Sequence, residues 1–67
     1  MKPRLFDTIE LVRPLPDESL PQGAIGAIIE EFSHPSEAYE VEFTDENGRT
    51  IAQVTLLPEQ FVVLARK

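Results

Sequence analysis

Hydrophobic and polar positions alternate with a period of two early in the chain, where Ile9 and Leu11 are interleaved with Thr8, Glu10 and Val12. That pattern predicts a first β-strand over Phe6 to Val12. Pro14 and Pro16 end it. The segment Arg13 to Gln22 holds three prolines, which cannot donate to a ladder, so it reads as a long loop. Gly23 and Gly26 can take positive φ or allow a sharp bend, and they lead the chain into a second strand over Ala24 to Phe32. The glycine and the β-branched residues within Ala24-Ile25-Gly26-Ala27-Ile28-Ile29 favour strand over helix. Ser33 to Glu37 is turn material, with Pro35 biasing His34 away from helical geometry.

The strongest local signal follows. Tyr39-Glu40-Val41-Glu42-Phe43 alternates cleanly, and Asn47-Gly48 is the preferred centre of a two-residue type I′ hairpin turn. Counting outward from that turn pairs Phe43 with Ala52, Val41 with Val54, Tyr39 with Leu56, Glu42 with Gln53 and Glu40 with Thr55. Apolar meets apolar and polar meets polar, with Ile51 opposite Thr44 as the one mixed pair. Leu57-Pro58-Glu59-Gln60 then predicts a single 3₁₀ turn before a last strand over Phe61 to Leu64, and Ala65-Arg66-Lys67 reads as a fraying polar tail.

This order of strands and connections predicts an all-β fold: a small five-stranded SH3-like barrel with a long first loop and a 3₁₀ turn before the last strand. An OB-type barrel is the runner-up, disfavoured because no helix of useful length lies between its third and fourth strands. With 67 residues there is room for one core, so residues 1–67 are expected to form a single domain. A chain this short buries only roughly 60% of the surface its unfolded form exposes, which makes a partner or self-association plausible.

Charge and composition narrow the function classes. Twelve acidic residues against six basic ones give a net charge of −6, which repels phosphate backbones and anionic lipid and attracts basic protein surfaces. The absence of cysteine removes disulfides and thiolate metal sites and fits a reducing compartment. No apolar run approaches the roughly 20 residues of a spanning helix, and Met1-Lys2-Pro3-Arg4 leads toward Asp7 and Glu10 rather than the apolar stretch of a signal peptide. A cytoplasmic location is the expectation.

Three stretches, Phe6-Asp7-Thr8-Ile9-Glu10-Leu11, Leu20 to Glu30 and Tyr39-Glu40-Val41-Glu42-Phe43, resemble a family of small bacterial and cyanobacterial proteins known only as a domain of unknown function. The resemblance spans nearly the whole chain and implies a stand-alone SH3-like barrel without an assigned activity. The Gly-x-x-Gly-x-Ile spacing of Gly23, Gly26 and Ile28 is also similar to the SH3-like part of the nitrile hydratase beta subunit and to ribosome-associated barrels with a KOW motif. Those are fold-level likenesses that carry little functional weight.

Candidate chemistry is sparse. His34 is the sole histidine, and the neighbouring Glu31 and Glu37 have no recognisable metal-ligand spacing. Glu40 and Glu42 share a strand face with Glu10 nearby, but general acid catalysis needs an enclosed carboxyl, and a barrel this small is filled by its own side chains. Asp45-Glu46-Asn47-Gly48 lacks a calcium-loop pattern, and Gly23 to Gly26 lacks the spacing and lysine of a P-loop. Four of the six basic residues, Lys2, Arg4, Arg66 and Lys67, lie at the termini, and Tyr39, Phe43 and Phe61 are needed for the core, which argues against nucleic acid. Without tryptophan and with a single tyrosine, the aromatic groove of a proline-peptide reader is missing.

No catalytic, cofactor or metal residues are therefore expected. The leading reading is a non-catalytic protein-interaction module whose acidic surface meets a basic partner, such as an antitoxin or immunity-type protein or an accessory subunit of a larger complex. The expected contact residues are Leu15, Asp17, Glu18 and Leu20 of the first loop together with Glu30, Glu31, Glu40 and Glu42. For Leu15 and Leu20 an equal alternative is that they fold back and cap the barrel. The competing classes are a self-assembling homo-oligomer pairing near Phe61 to Leu64, favoured if Val62 or Val63 is exposed, and a small-ligand or metal sensor.

Overall fold

A computed structural model describes residues 2–66. Five antiparallel strands, β1 (Thr8–Leu11), β2 (Ile25–Phe32), β3 (Ala38–Thr44), β4 (Thr50–Leu56) and β5 (Phe61–Ala65), form one sheet in the order β4-β3-β2-β1-β5. Short 3₁₀ turns span Pro16–Glu18 in the first loop and Pro58–Gln60 before β5, each opened by a proline whose missing N–H costs nothing at that position. The expected small all-β architecture, with its long first loop and its 3₁₀ turn ahead of the last strand, is present.

One face of the sheet supplies the core: Ile9, Leu11, Ile28, Tyr39, Val41, Phe43, Leu56 and Phe61, joined by Leu20 from the first loop. The sheet curls over this core, because Tyr39 of β3 and Phe61 of β5 meet edge to face with ring centroids 5.7 Å apart. Gly26 lets β2 and β3 approach closely. A Cβ there would lie 2.7 Å from Val41 Cγ1 and 3.0 Å from the Glu42 carbonyl oxygen, so the position is fixed by packing and not by a bend. Positive φ is needed instead at Gly23 (89°), in the turn that leads into β2.

The β3–β4 register matches the expected pairs from Tyr39↔Leu56 through Phe43↔Ala52. The turn differs. Asp45 N–H bonds the Arg49 carbonyl, Gly48 N–H bonds the Asp45 carbonyl, and only Gly48 takes positive φ, so the loop has three residues and not two. A bulge at Ile51 absorbs the difference, and Thr44 pairs with Thr50. A type I′ turn requires positive φ at Asn47 as well. The Asp45 carboxylate favours the alternative by accepting the N–H groups of Asn47 and Arg49 at 2.8 and 2.9 Å.

Both ends of the chain also depart from expectation. β1 begins at Thr8, because Phe6 sits in a tight turn with φ 70°. Ala65 pairs with Thr8, and the Arg66 guanidinium donates to the Lys2 carbonyl at 2.7 Å and lies 3.6 Å from the Asp7 carboxylate. The tail is held up to Arg66; Lys67 lies outside the described residues.

Candidate functional site

Directly opposed residues of an antiparallel pair project to the same face, so the register of β2, β3 and β4 defines what the outer surface carries. Ala27, Glu42 and Gln53 form one row, and Glu30, Glu40 and Thr55 the next. A bulge between Ile28 and Glu30 decides this composition. Without it, Ile29 would oppose Glu40 and Glu30 would oppose the buried Tyr39; with it, Glu30 moves to the outer face and Glu31 takes the place beside Tyr39. The carboxylates on this face are oriented by neutral neighbours. Glu40 accepts Thr55 Oγ1 at 2.5 Å and Gln53 Nε2 at 3.1 Å, and Glu42 accepts the Thr50 hydroxyl. Each retains acceptor capacity toward solvent, and Glu30 is exposed.

Glu31 belongs to a different surface. Its carboxylate accepts the Leu5 N–H at 2.9 Å, and it lines an opening with Lys2, Phe32, Ser33, Glu37 and Tyr39. The buried Tyr39 hydroxyl donates to Glu37. Burial pushes the phenol well above its ordinary range, and the bond to Glu37 and the negative charges of Glu37 and Glu31 push it further.

The first-loop residues divide. Asp17 and Glu18 sit exposed in the first 3₁₀ turn. Leu20 is in the core at 4% exposure, and Leu15, which bridges it through backbone hydrogen bonds, packs against that core. These two leucines therefore take the capping role, since a short domain gains more from covering its open end than from exposing them. Glu10 is separated from Glu40 and Glu42 by β2 and lies by the Gly23 turn instead. The structure thus gathers Glu30, Glu40 and Glu42, and leaves Glu31, Asp17 and Glu18 elsewhere.

Sequence reasoning did not find Asp7, which is 1% exposed, accepts the Arg4 N–H at 2.8 Å and faces Arg66. No local pattern signals a pair joined only by the meeting of the two chain ends. His34 is exposed in the turn after β2, and among the described residues no group of three or more His, Asp or Glu is placed to hold a metal ion. Among the same residues no helix is long and apolar enough to cross a membrane.

Residues 5–63 match a family described as Domain of unknown function (DUF4926). The chain belongs to that family. The match takes in the N-terminal turn from Leu5, the acidic outer face of this DUF4926 domain and most of β5. No curated protein and no solved structure matches the chain.

Proposed function

We propose that this DUF4926 domain is a non-catalytic interaction module, an SH3-like barrel whose outer β2–β3–β4 face meets a basic surface on a partner protein. The carrying observation is that Glu30 lies directly opposite Glu40, with Glu42 in the adjoining row. Like charges directly opposed across a ladder are destabilising, and no basic side chain of the three strands relieves them. A face that holds carboxylates together at a cost to the fold, oriented by Thr50, Gln53 and Thr55, is suited to cationic side chains brought by another protein. An antitoxin or immunity-type protein facing a basic toxin is one concrete form of this reading, and an accessory subunit of a larger complex is another. A neighbouring gene for a basic, toxic chain favours the first, and a metabolic gene cluster favours the second.

Affinity capture from the native cells, at low and at moderate salt, tests the reading. A stoichiometric basic partner should be retained at low salt and lost as ionic strength rises. The double variant E40Q/E42Q should abolish its capture, while D17N/E18Q should leave it intact. Loss only in the loop variant would move the contact to the first loop, and retention in both would overturn the acidic-face reading.

A further inference from the structure

Asn47, the sole asparagine of the chain, stands in the β3–β4 turn with Gly48 after it, and both are exposed. An asparagine followed by glycine is chemically vulnerable, because the next backbone nitrogen can attack the side-chain carbon Cγ and glycine has no side chain to hinder the approach. Space is open here. A Cβ at Gly48 would meet nothing within 4 Å. The attacking nitrogen is nevertheless held: Gly48 N–H donates to the Asp45 carbonyl at 2.9 Å, and the Asp45 carboxylate accepts the Asn47 and Arg49 N–H groups at 2.8 and 2.9 Å. The Asp45 N–H in turn donates to the Arg49 carbonyl at 2.8 Å and closes the loop. Three consecutive amides are thus committed to one residue. The reacting one cannot give up its proton and swing toward Cγ unless the turn opens.

We propose that Asn47 is a site of spontaneous covalent modification, deamidating through a cyclic imide at a rate set by the opening of the turn that Asp45 locks. The Gly48 nitrogen bonds to Asn47 Cγ, the Cγ–Nδ2 bond breaks, and Nδ2 leaves as ammonia with the proton given up by Gly48. Water then opens the five-membered ring. Attack at Cγ leaves aspartate, and attack at the main-chain carbonyl leaves isoaspartate, whose main chain is one carbon longer. Either product adds a carboxylate beside Asp45 and Glu46 to a chain that already carries a net −6. Isoaspartate also lengthens a loop whose length sets the Thr44↔Thr50 pairing, and the Thr50 hydroxyl donates to Glu42 of the acidic face. Gln22-Gly23 is the internal comparison. Its ring would have six members, and Gly23 N–H is held by the Leu11 carbonyl at 2.9 Å.

Peptide mapping with isoaspartate detection tests this on the full chain, held at mildly alkaline pH either folded or unfolded in urea. Conversion at position 47 should run about ten- to a hundredfold more slowly in the folded chain, because a hydrogen-bonded turn is open only a minor fraction of the time. Asp45→Ala, checked as folded by its near-ultraviolet tyrosine signal, should convert about fivefold or more faster than wild type, the factor that one lost hydrogen bond is worth. Asp45→Asn keeps an acceptor oxygen and should stay near the wild-type rate at position 47, and Gln22 should remain intact throughout. A folded chain that converts as fast as the unfolded one, that is still unmodified once the unfolded one has converted, or whose rate Asp45→Ala leaves unchanged would overturn the proposal.

Discussion

At the scale of single residues, two positions show how the core constrains chemistry. Replacing Gly26 with alanine would ordinarily favour a strand, but here the new methyl meets Val41, Phe43 and the Glu42 carbonyl at 3.0 Å or less. A backbone oxygen cannot swing aside as a flexible side chain can, so overpacking decides the sign. Gly26→Ala should lower stability by about 1–3 kcal/mol, measured as a shift in the urea midpoint. Tyr39, the only tyrosine, gives a direct optical report of burial. Its phenol is raised above the ordinary value of 10.0, chiefly by burial, so its contribution to stability is fully present below that pH and is lost as pH rises beyond it. Phenolate absorbance should therefore appear only above pH 10 and together with loss of the β-sheet circular dichroism signal. Tyrosinate formed near pH 10 in a folded protein would contradict the buried site.

At the scale of elements, the β3–β4 hairpin keeps its expected register through a turn of a different kind. The Asp45 carboxylate sits below its ordinary range, chiefly because it accepts the Arg49 backbone N–H; desolvation opposes this, and the Asn47 N–H and the Arg49 side chain add to the lowering. A carboxyl with a lowered folded value stabilises above its unfolded value of about 3.9, and the effect fades as pH falls through the folded one. Asp45→Ala should therefore weaken the hairpin at neutral pH, seen as reduced amide-exchange protection of Asn47 and Arg49. The difference from wild type should shrink below about pH 4. Unchanged protection at neutral pH would show that Gly48 and the Ile51 bulge hold the turn unaided. The bulge in β2 has the larger consequence, because it decides that Glu30, and not Glu31, joins Glu40 on the outer face.

For the whole molecule, a thin core and an acidic surface act against each other. Glu30 opposite Glu40 is a cost carried by the fold, so Glu30→Gln should raise the melting temperature of the isolated domain while weakening capture of a basic partner. The expected gain is about 0.2–1 kcal/mol, read by thermal unfolding monitored by circular dichroism. A variant less stable than wild type would mean that Glu30 makes a favourable contact and that the acidic face is not held at a cost to the fold. The two ends of the chain are closed by a different device, in which buried Asp7 links the N-terminal turn to Arg66 after β5. The same closure holds Phe6 at positive φ and exposed.

The strands, their order along the chain and the β3–β4 pairing are legible in the amino-acid sequence, because each rests on period-two alternation, prolines and polar turns acting over a few residues. Tyr39, Phe43 and Phe61 are legible as core; of Val62 and Val63, either of which could have been exposed, Val62 is and Val63 packs against the core. Which glutamates share a face emerges only on folding, since one extra residue in β2 inverts every assignment beyond it and no local pattern marks that bulge. Folding alone placed Leu15 and Leu20 against the core, set the Gly26 contact, and joined Asp7 to Arg66. These depend on contacts between segments far apart in the chain. Hydrophobic periodicity shows which side of a strand is buried, and only the folded sheet shows what lies opposite it.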